Sequence, residues 1–498
     1  MSNRFALLAA ACRSRTRPLR HLALACALLW LVAPSTRAGT GLDFAPCALS
    51  GSDAASVRYA ECATFVRPVD PAAPDGVTLE LAVARVRAGS RQPREDAITL
   101  INGGPGAASI DLLVDLWDTV QVLANERDVI VIDQRGTGRS APLRCRDDAA
   151  AQMEAGPEEI IRRTRACLGG LDYDPRQFTT SVAVTDLEAL RETLGYRQWN
   201  VYGISYGTRV AQHYARRYPA QVRSLVIDGI VPVGTRLGAN VVLNSQAALE
   251  RLRAACAGDD VCDTRHGDFI STLTALRGMP PRDAPLPHPV TGEATSIRLA
   301  YPHLAAAVRL SLYAPETAAI VPYLINATRQ GNLIPIAAQA MLTLERVDAS
   351  IANGMHNAVV CTEDVPFEVD DTERQLLEDS YLGAEMMDTL HAICSVWPAG
   401  VLDADLHVPR IFEMPALLLS GAEDPITPPA YGEAMLPFFP HGRHLVAAGM
   451  GHGVLARGCV PLLVNEFVDT LDASAIDGTC LNNMPSMPVF LDNLGPAP

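Results

Sequence analysis

The sequence predicts an α/β fold, with a mostly parallel central sheet, helices on both faces and an inserted helical cap. Three observations carry this. Apolar runs rich in Val and Ile end at glycine or acidic positions, as strands buried on both faces do. Helix-period patterns alternate with them, the arrangement that builds parallel sheets. The alternation stops after about residue 233 and resumes near 406, which sets the stretch between them apart.

In chain order, residues 1–38 read as an export signal. They hold six arginines and no acidic group around "HLALACALLWLVA", an apolar run of 13 residues at 21–33, and Thr36-Arg37-Ala38 follows with small residues at cleavage spacing. The run is short for a membrane span, so no stable membrane association is expected once the signal is removed. Residues 39–233 form the first part of the core. "VTLELAVARV" (77–86) alternates like a strand with one wet face, while "AITLINGG" (97–104), "RDVIVIDQRG" (127–136), "WNVYGISYG" (199–207) and "VRSLVIDGI" (222–230) read as buried strands. Between them, "SVAVTDLEALRETLG" (181–195) and "TRVAQHYARRYP" (208–219) have helical spacing. Residues 234–405 are the cap. It holds a Pro-rich stretch, "MPPRDAPLPHP" (279–289), read as a loop, and helix-like segments at 299–313 and 334–347. Residues 406–498 return to the core with strands at "PALLLSGAED" (415–424) and "RHLVAAGMGHG" (443–453).

Composition excludes several functions. The 41 basic residues are all arginine, so a Walker lysine, a Schiff base and a Ser-Lys dyad are impossible. The net charge of -15 becomes more negative once the arginine-rich signal is gone, which argues against a nucleic-acid partner. Ten cysteines lie beyond the signal with no C-x-x-C among them, so disulfides are expected and a metal is not. The sequential pairs 47–62, 145–167, 256–262, 361–394 and 459–480 each close a short loop. No cofactor is called for.

The chemistry centres on "GISYG". Chance supplies roughly 0.1–0.2 G-x-S-x-G matches in a chain this long, so context decides. Here a strand pattern leads into Ser205 and a helix pattern leaves it, which is the setting of a nucleophile elbow. A serine hydroxyl needs a base to take its proton and a carboxylate to orient that base. His452 in "GMGHGV" follows the last strand pattern and suits the base; His441 and His444 precede it and read as surface residues. Asp424, before Pro425 at a strand end, is the favoured acid over Glu423, and Asp228 in "VIDGI" competes with it. The glycine loop "INGGPG" (101–106) offers Gly103 and Gly104 as oxyanion-hole positions together with the N–H of Tyr206. "DQRGTGRS" (133–140) reads as a structural loop in which Asp133 and Arg135 pair to brace the oxyanion loop.

NGGPG, DQRGTGRS, GISYG, GAEDPITP and GMGHG, in this order, resemble the α/β-hydrolase peptidases of the proline iminopeptidase and exported tripeptidyl aminopeptidase (TAP-like) family. Asn102 stands where proline iminopeptidases usually carry histidine, which counts against a strictly proline-specific enzyme. The resemblance implies an α/β-hydrolase fold, a secreted or periplasmic serine aminopeptidase and a peptide substrate with a free N-terminus. It also implies acidic cap residues that hold the substrate's α-amino group, and Glu363 and Asp364 in "VVCTEDVPF" are the candidates. An esterase or other small-molecule acyl hydrolase is the alternative on the same fold.

Overall fold

The sheet strands are β1 (Ala45–Ser50), β2 (Val57–Pro68), β3 (Thr78–Val86), β4 (Ala97–Ile101), β5 (Val129–Ile132), β6 (Trp199–Ile204) and β7 (Val222–Asp228). After a separate hairpin of β8 (Arg282–Pro287) and β9 (Ala294–Leu299), β10 (Ala416–Gly421) and β11 (Gly442–Ala447) complete the sheet. The structure, a computed structural model, describes residues 41–51, 56–145, 155–365 and 369–496; the export signal read at 1–38 lies outside them.

The nine strands run in the order β1-β2-β3-β5-β4-β6-β7-β10-β11. From β5 to β11 every pairing is parallel, whereas β1, β2 and β3 join by antiparallel ladders. Alternate side chains of the central strands feed two different cores. Ile130, Val201 and Leu418 pack on one face with Leu187, Leu190, Val210 and Tyr214 from the helices Thr180–Leu194 and Tyr206–Arg217. Val129, Tyr202 and Leu417 pack on the other face with Leu113, Val120 and Phe467. Period-two alternation between two apolar layers explains why these strands read as continuous apolar runs. The chain order reverses at β4, which lies between β5 and β6. In such sheets ligand sites collect at the carboxyl ends of the strands beside that reversal.

Between β7 and β10 the chain is mainly helical, from Ala239–Ala257 to Glu385–Cys394. The Pro-rich stretch is a correction. It is not a loop but strand β8, which pairs with β9 in antiparallel register, Ala284 opposite Ile297. Ala284 and Leu286 are buried while Pro285 and Pro287 point outward. A two-stranded hairpin has free edges, which tolerate the missing proline N–H groups.

The ten cysteines among the described residues pair sequentially: Cys47–Cys62, Cys145–Cys167, Cys256–Cys262, Cys361–Cys394 and Cys459–Cys480. Cys47–Cys62 crosses β1 and β2, a pair with little buried apolar surface of its own.

Candidate active site

Ser205 sits between β6 and the helix Tyr206–Arg217 at φ 57° and ψ -128°. A side chain at positive φ is strained and survives only where the surroundings fix it. Here close packing fixes it. A Cβ on Gly203 would meet the Gly207 carbonyl oxygen at 2.4 Å, and one on Gly207 would meet the Ile101 carbonyl oxygen at 2.4 Å. The two glycines flanking the serine therefore let the elbow helix press against the ends of β4 and β6. The Ser205 N–H donates to the Asp228 carbonyl at 2.9 Å, tying the turn to β7.

His452 follows β11, and both its ring and its backbone are held. Nδ1 lies 2.8 Å from Asp424 Oδ2, the backbone N–H donates to the Tyr313 carbonyl at 2.8 Å, and the Tyr313 ring meets the imidazole edge-on with centroids 5.2 Å apart. Gly229 lies beneath it, where a Cβ would come within 3.0 Å of His452 Cε1. Asp424 is fully buried. Its Oδ1 accepts the N–H groups of Ile426 and Thr427, both at 2.8 Å, and Oδ2 also accepts the Thr427 hydroxyl at 2.9 Å. Burial alone would favour the protonated acid, yet the charge of His452 and these donors hold the Asp424 carboxyl below its ordinary range. Burial likewise opposes charging of His452, and Asp424 overrides it, leaving the imidazole above the ordinary histidine value.

The competing acid points elsewhere. Asp228 Oδ2 accepts from Tyr202 Oη at 3.0 Å and from the N–H groups of Val454 and Leu455 at 2.8 and 2.9 Å. It thus clamps the loop that follows His452, and burial pushes its carboxyl up to about 6. His444 lies within β11, where its ring bonds Ser420 Oγ at 2.9 Å, so it is partly buried and no surface residue.

The glycine loop after β4 runs beside the elbow, so close that a Cβ on Gly103 would stand 2.7 Å from Ser205 Cβ. The Gly103 N–H is already committed to Asn102 Oδ1 at 2.8 Å, and the Asn102 amide donates to the Ala108 carbonyl at 2.8 Å. Gly104, at φ 106°, and Tyr206, the first residue of the elbow helix, have backbone N–H groups with no hydrogen bond among the described residues. Asp133 accepts the N–H groups of Ile110, in the helix that follows this loop, and of Arg139 in its own loop, at 2.8 and 3.0 Å. Arg135 does not pair with Asp133. It forms a buried bidentate pair with Asp186 at 2.7 and 2.9 Å, because its side chain points back under the sheet toward the Pro68 and Val69 carbonyls.

Glu363 and Asp364, the candidate amine anchors, are buried and already partnered. Glu363 accepts from the Thr180 N–H and hydroxyl at 2.7 and 2.9 Å, and Asp364 accepts from Arg209 at 2.8 Å and from the Leu237 N–H at 2.8 Å. Arg209 Nη1 reaches both acids at 3.3 Å. Tyr206 Oη joins the network through Thr180 Oγ1 at 2.7 Å. Burial pushes the Glu363 carboxyl up to about 7. Arg209 therefore anchors the elbow helix to the cap, and Arg209→Met would leave Asp364 buried without its cation. A loss of roughly 3–5 kcal/mol of stability is expected from breaking such a pair, measurable by denaturant unfolding. A loss below about 1 kcal/mol would mean that the acids are not structurally committed to Arg209.

Sequence reasoning missed Thr427, Arg209 and Tyr313. Thr427 had a readable signal, since a Thr three residues after an Asp is a common turn partner. Tyr313 had none, because it comes from the cap.

Two family descriptions match the chain: "alpha/beta hydrolase fold" over residues 96–281 and "TAP-like protein" over 379–480. The tripeptidyl aminopeptidase of Streptomyces lividans is 25% identical over 90% of this chain and 88% of its own. The hydrolase YuaR of Escherichia coli is 31% identical, but that match spans 31% of this chain and about a third, 32%, of that protein. Serine protease Hip1 of Mycobacterium tuberculosis is 29% identical over 39% of this chain and 40% of its own. With the sheet order, the serine elbow and both matches in agreement, the chain has the α/β-hydrolase fold and a TAP-like region at residues 379–480.

Proposed function

We propose that the chain is an exported serine exopeptidase that releases short N-terminal pieces, from one residue to three, from peptides with a free N-terminus. The observation that carries the reading is Ser205 at φ 57° on a strand–helix elbow, with a His452–Asp424 pair at 2.8 Å in the order serine, acid, histidine. Similarity to a tripeptidyl aminopeptidase along 90% of the chain supports the substrate class.

In this reading Ser205 Oγ attacks the scissile carbonyl and passes its proton to His452 Nε2. Asp424 holds the ring in the tautomer that leaves Nε2 free and stabilises the imidazolium that forms. The Gly104 and Tyr206 N–H groups stabilise the tetrahedral oxyanion, each contributing about 3 kcal/mol. Gly103 contributes by lacking a Cβ, which keeps the loop against the serine. Collapse expels the amine, which takes the proton from His452. Water, deprotonated by the same histidine, then attacks the acyl-enzyme carbonyl and frees Ser205.

His452 accepts a proton only when neutral, and its raised pKa leaves more of it charged near neutrality. Activity should therefore fall on acidification along a limb that lies above the ordinary histidine value of about 6.5. A limb at or below that value in the pH profile of kcat/KM would contradict the His452–Asp424 coupling.

Export rests on the arginine-flanked apolar run before Ala38 and on five disulfides, which persist in oxidising compartments. Among the described residues no helix is long and apolar enough to cross a membrane.

One observation favours the esterase alternative. Glu363 and Asp364 are spent on Arg209 and Thr180, so an amine anchor there requires that network to open. A free-amine peptide amide and its N-acetylated twin separate the two readings. The exopeptidase cleaves the first at least tenfold faster; equal turnover removes the exopeptidase hypothesis.

A further inference from the structure

Four deeply buried arginines are matched with carboxylates. Arg127 pairs with Asp96 and Asp469, Arg135 with Asp186, Arg191 with Glu188, and Arg209 with Asp364 and Glu363. Half-buried Arg309, like half-buried Arg277, has no carboxylate partner among the described residues. Arg309 lies near the end of the cap helix Tyr301–Ser311. Its Nε is shielded from water with no hydrogen-bond partner. Among the described residues its single side-chain hydrogen bond is a long one, Nη2 to Tyr313 Oη at 3.3 Å, and its guanidinium carbon stands 5.9 Å from the centre of the same ring. A guanidinium is weakly hydrated and built for bidentate carboxylate recognition, and a sheltered one with open donors is costly unless something fills them.

The position of this open cation ties it to the candidate site. Tyr313, the residue Arg309 rests on, packs its ring edge-on against His452 and accepts the His452 N–H through its carbonyl. A Cβ on Gly451, next to His452, would stand 2.3 Å from that same carbonyl oxygen. The positive charge of Arg309 is also felt at His356, whose ring bonds the Pro105 carbonyl of the glycine loop at 3.2 Å. Arg309 thus stands one ring away from His452, through Tyr313.

We propose that Arg309 binds a substrate carboxylate, making this site selective for short peptides that carry one close to the scissile bond. This rests on the peptidase reading of the same site. The carboxylate has two sources, the free C-terminus of a short peptide or an Asp or Glu side chain. The acidic character of the whole chain makes the local cation more telling, since the mean field of a protein with net charge -15 repels such substrates.

The test uses three matched free-amine peptides of neutral side chains: a short peptide acid, its C-terminal amide, and the amide with one neutral residue replaced by Glu. Rates are divided by active sites titrated with a fluorophosphonate, so that misfolded protein does not count. The wild type is expected to favour at least one carboxylate peptide over the plain amide by roughly 10–100-fold in kcat/KM, the range of one charge-assisted hydrogen-bonded contact. Which peptide is favoured identifies the source. In Arg309→Met the preference should fall to near unity, mainly through KM, and Arg309→Lys should restore part of it. Equal rates for all three peptides in the wild type, or an unchanged preference in Arg309→Met, would overturn the proposal while leaving the peptidase reading intact. If none of the three peptides is cleaved but an activated ester is, the peptidase reading fails instead, and the proposal with it.

Discussion

Ser205→Ala is expected to lower kcat by roughly 10⁶-fold, the scale seen when an acyl-forming serine is removed from a complete triad. The protein should remain folded, because alanine keeps the Cβ and the lost hydroxyl makes no hydrogen bond among the described residues. Ser205→Gly should be equally inactive and yet more stable. Ser205 is held at φ 57° and ψ -128°, a region glycine enters without a Cβ clash. Relieving that strain is worth about 1–3 kcal/mol, set against about 1 kcal/mol for the extra chain entropy of glycine. Opposite signs for activity and stability at one position are the mark of a strained functional residue. Burst kinetics with an activated ester and thermal unfolding of the three proteins check both halves. Residual activity above about one-thousandth of the wild type in Ser205→Ala would remove the serine from the nucleophile's role. Ser205→Gly melting below Ser205→Ala would mean that the elbow is not strained.

What the sequence revealed of this site followed from local chemistry. β4, β6 and β10 are short enough and apolar enough to read as buried strands, and each runs into a loop that holds a candidate site residue: Gly104, Ser205 and Asp424. Gly203 and Gly207 were legible because an elbow demands small neighbours, and the 2.4 Å contacts a Cβ would make there give the reason. β1 and β2 were not legible. Their residues are mostly half-exposed, so no apolar period marks them, and the backbone ladder and Cys47–Cys62 hold them instead. β8 was hidden by its prolines, which sequence rules assign to loops unless the strand is an edge. The partners of Glu363 and Asp364 could not be read either. "TED" in a cap and "TRVAQ" in a core helix sit about 150 residues apart, and no periodicity shows that the cap brings both acids onto Arg209. Long-range pairing of charges is a property of how the cap packs, and that information is spread over many side chains.

Asp228 and Asp424 both lie at strand ends near His452, and replacing each with asparagine should separate them by orders of magnitude. Asp424→Asn keeps the shape but turns an acceptor into a possible donor opposite Nδ1, so the imidazole loses both its orienting tautomer and its counter-charge. A fall of roughly 10⁴-fold in kcat is expected. Asp228→Asn removes a carboxylate that touches Tyr202, Val454 and Leu455 and bonds no atom of His452. The effect on kcat should stay within about tenfold, since asparagine Oδ1 can still accept both loop N–H groups. Stability should separate the two as well. Burial raises the Asp228 carboxyl to about 6, above its unfolded value near 3.9. The folded chain therefore holds this proton more tightly, and Asp228 costs stability as pH rises from about 4 to 6. Asp228→Asn should flatten that part of the stability profile. Asp424 is lowered by its partners, so its contribution is present above the unfolded value and fades as pH falls through the folded one. Asp424→Asn should therefore weaken the protein most at neutral pH. The reverse pattern, a large kcat loss in Asp228→Asn with a small one in Asp424→Asn, would transfer the orienting role to β7 and require His452 to turn its Nδ1 away from the acid it meets at 2.8 Å.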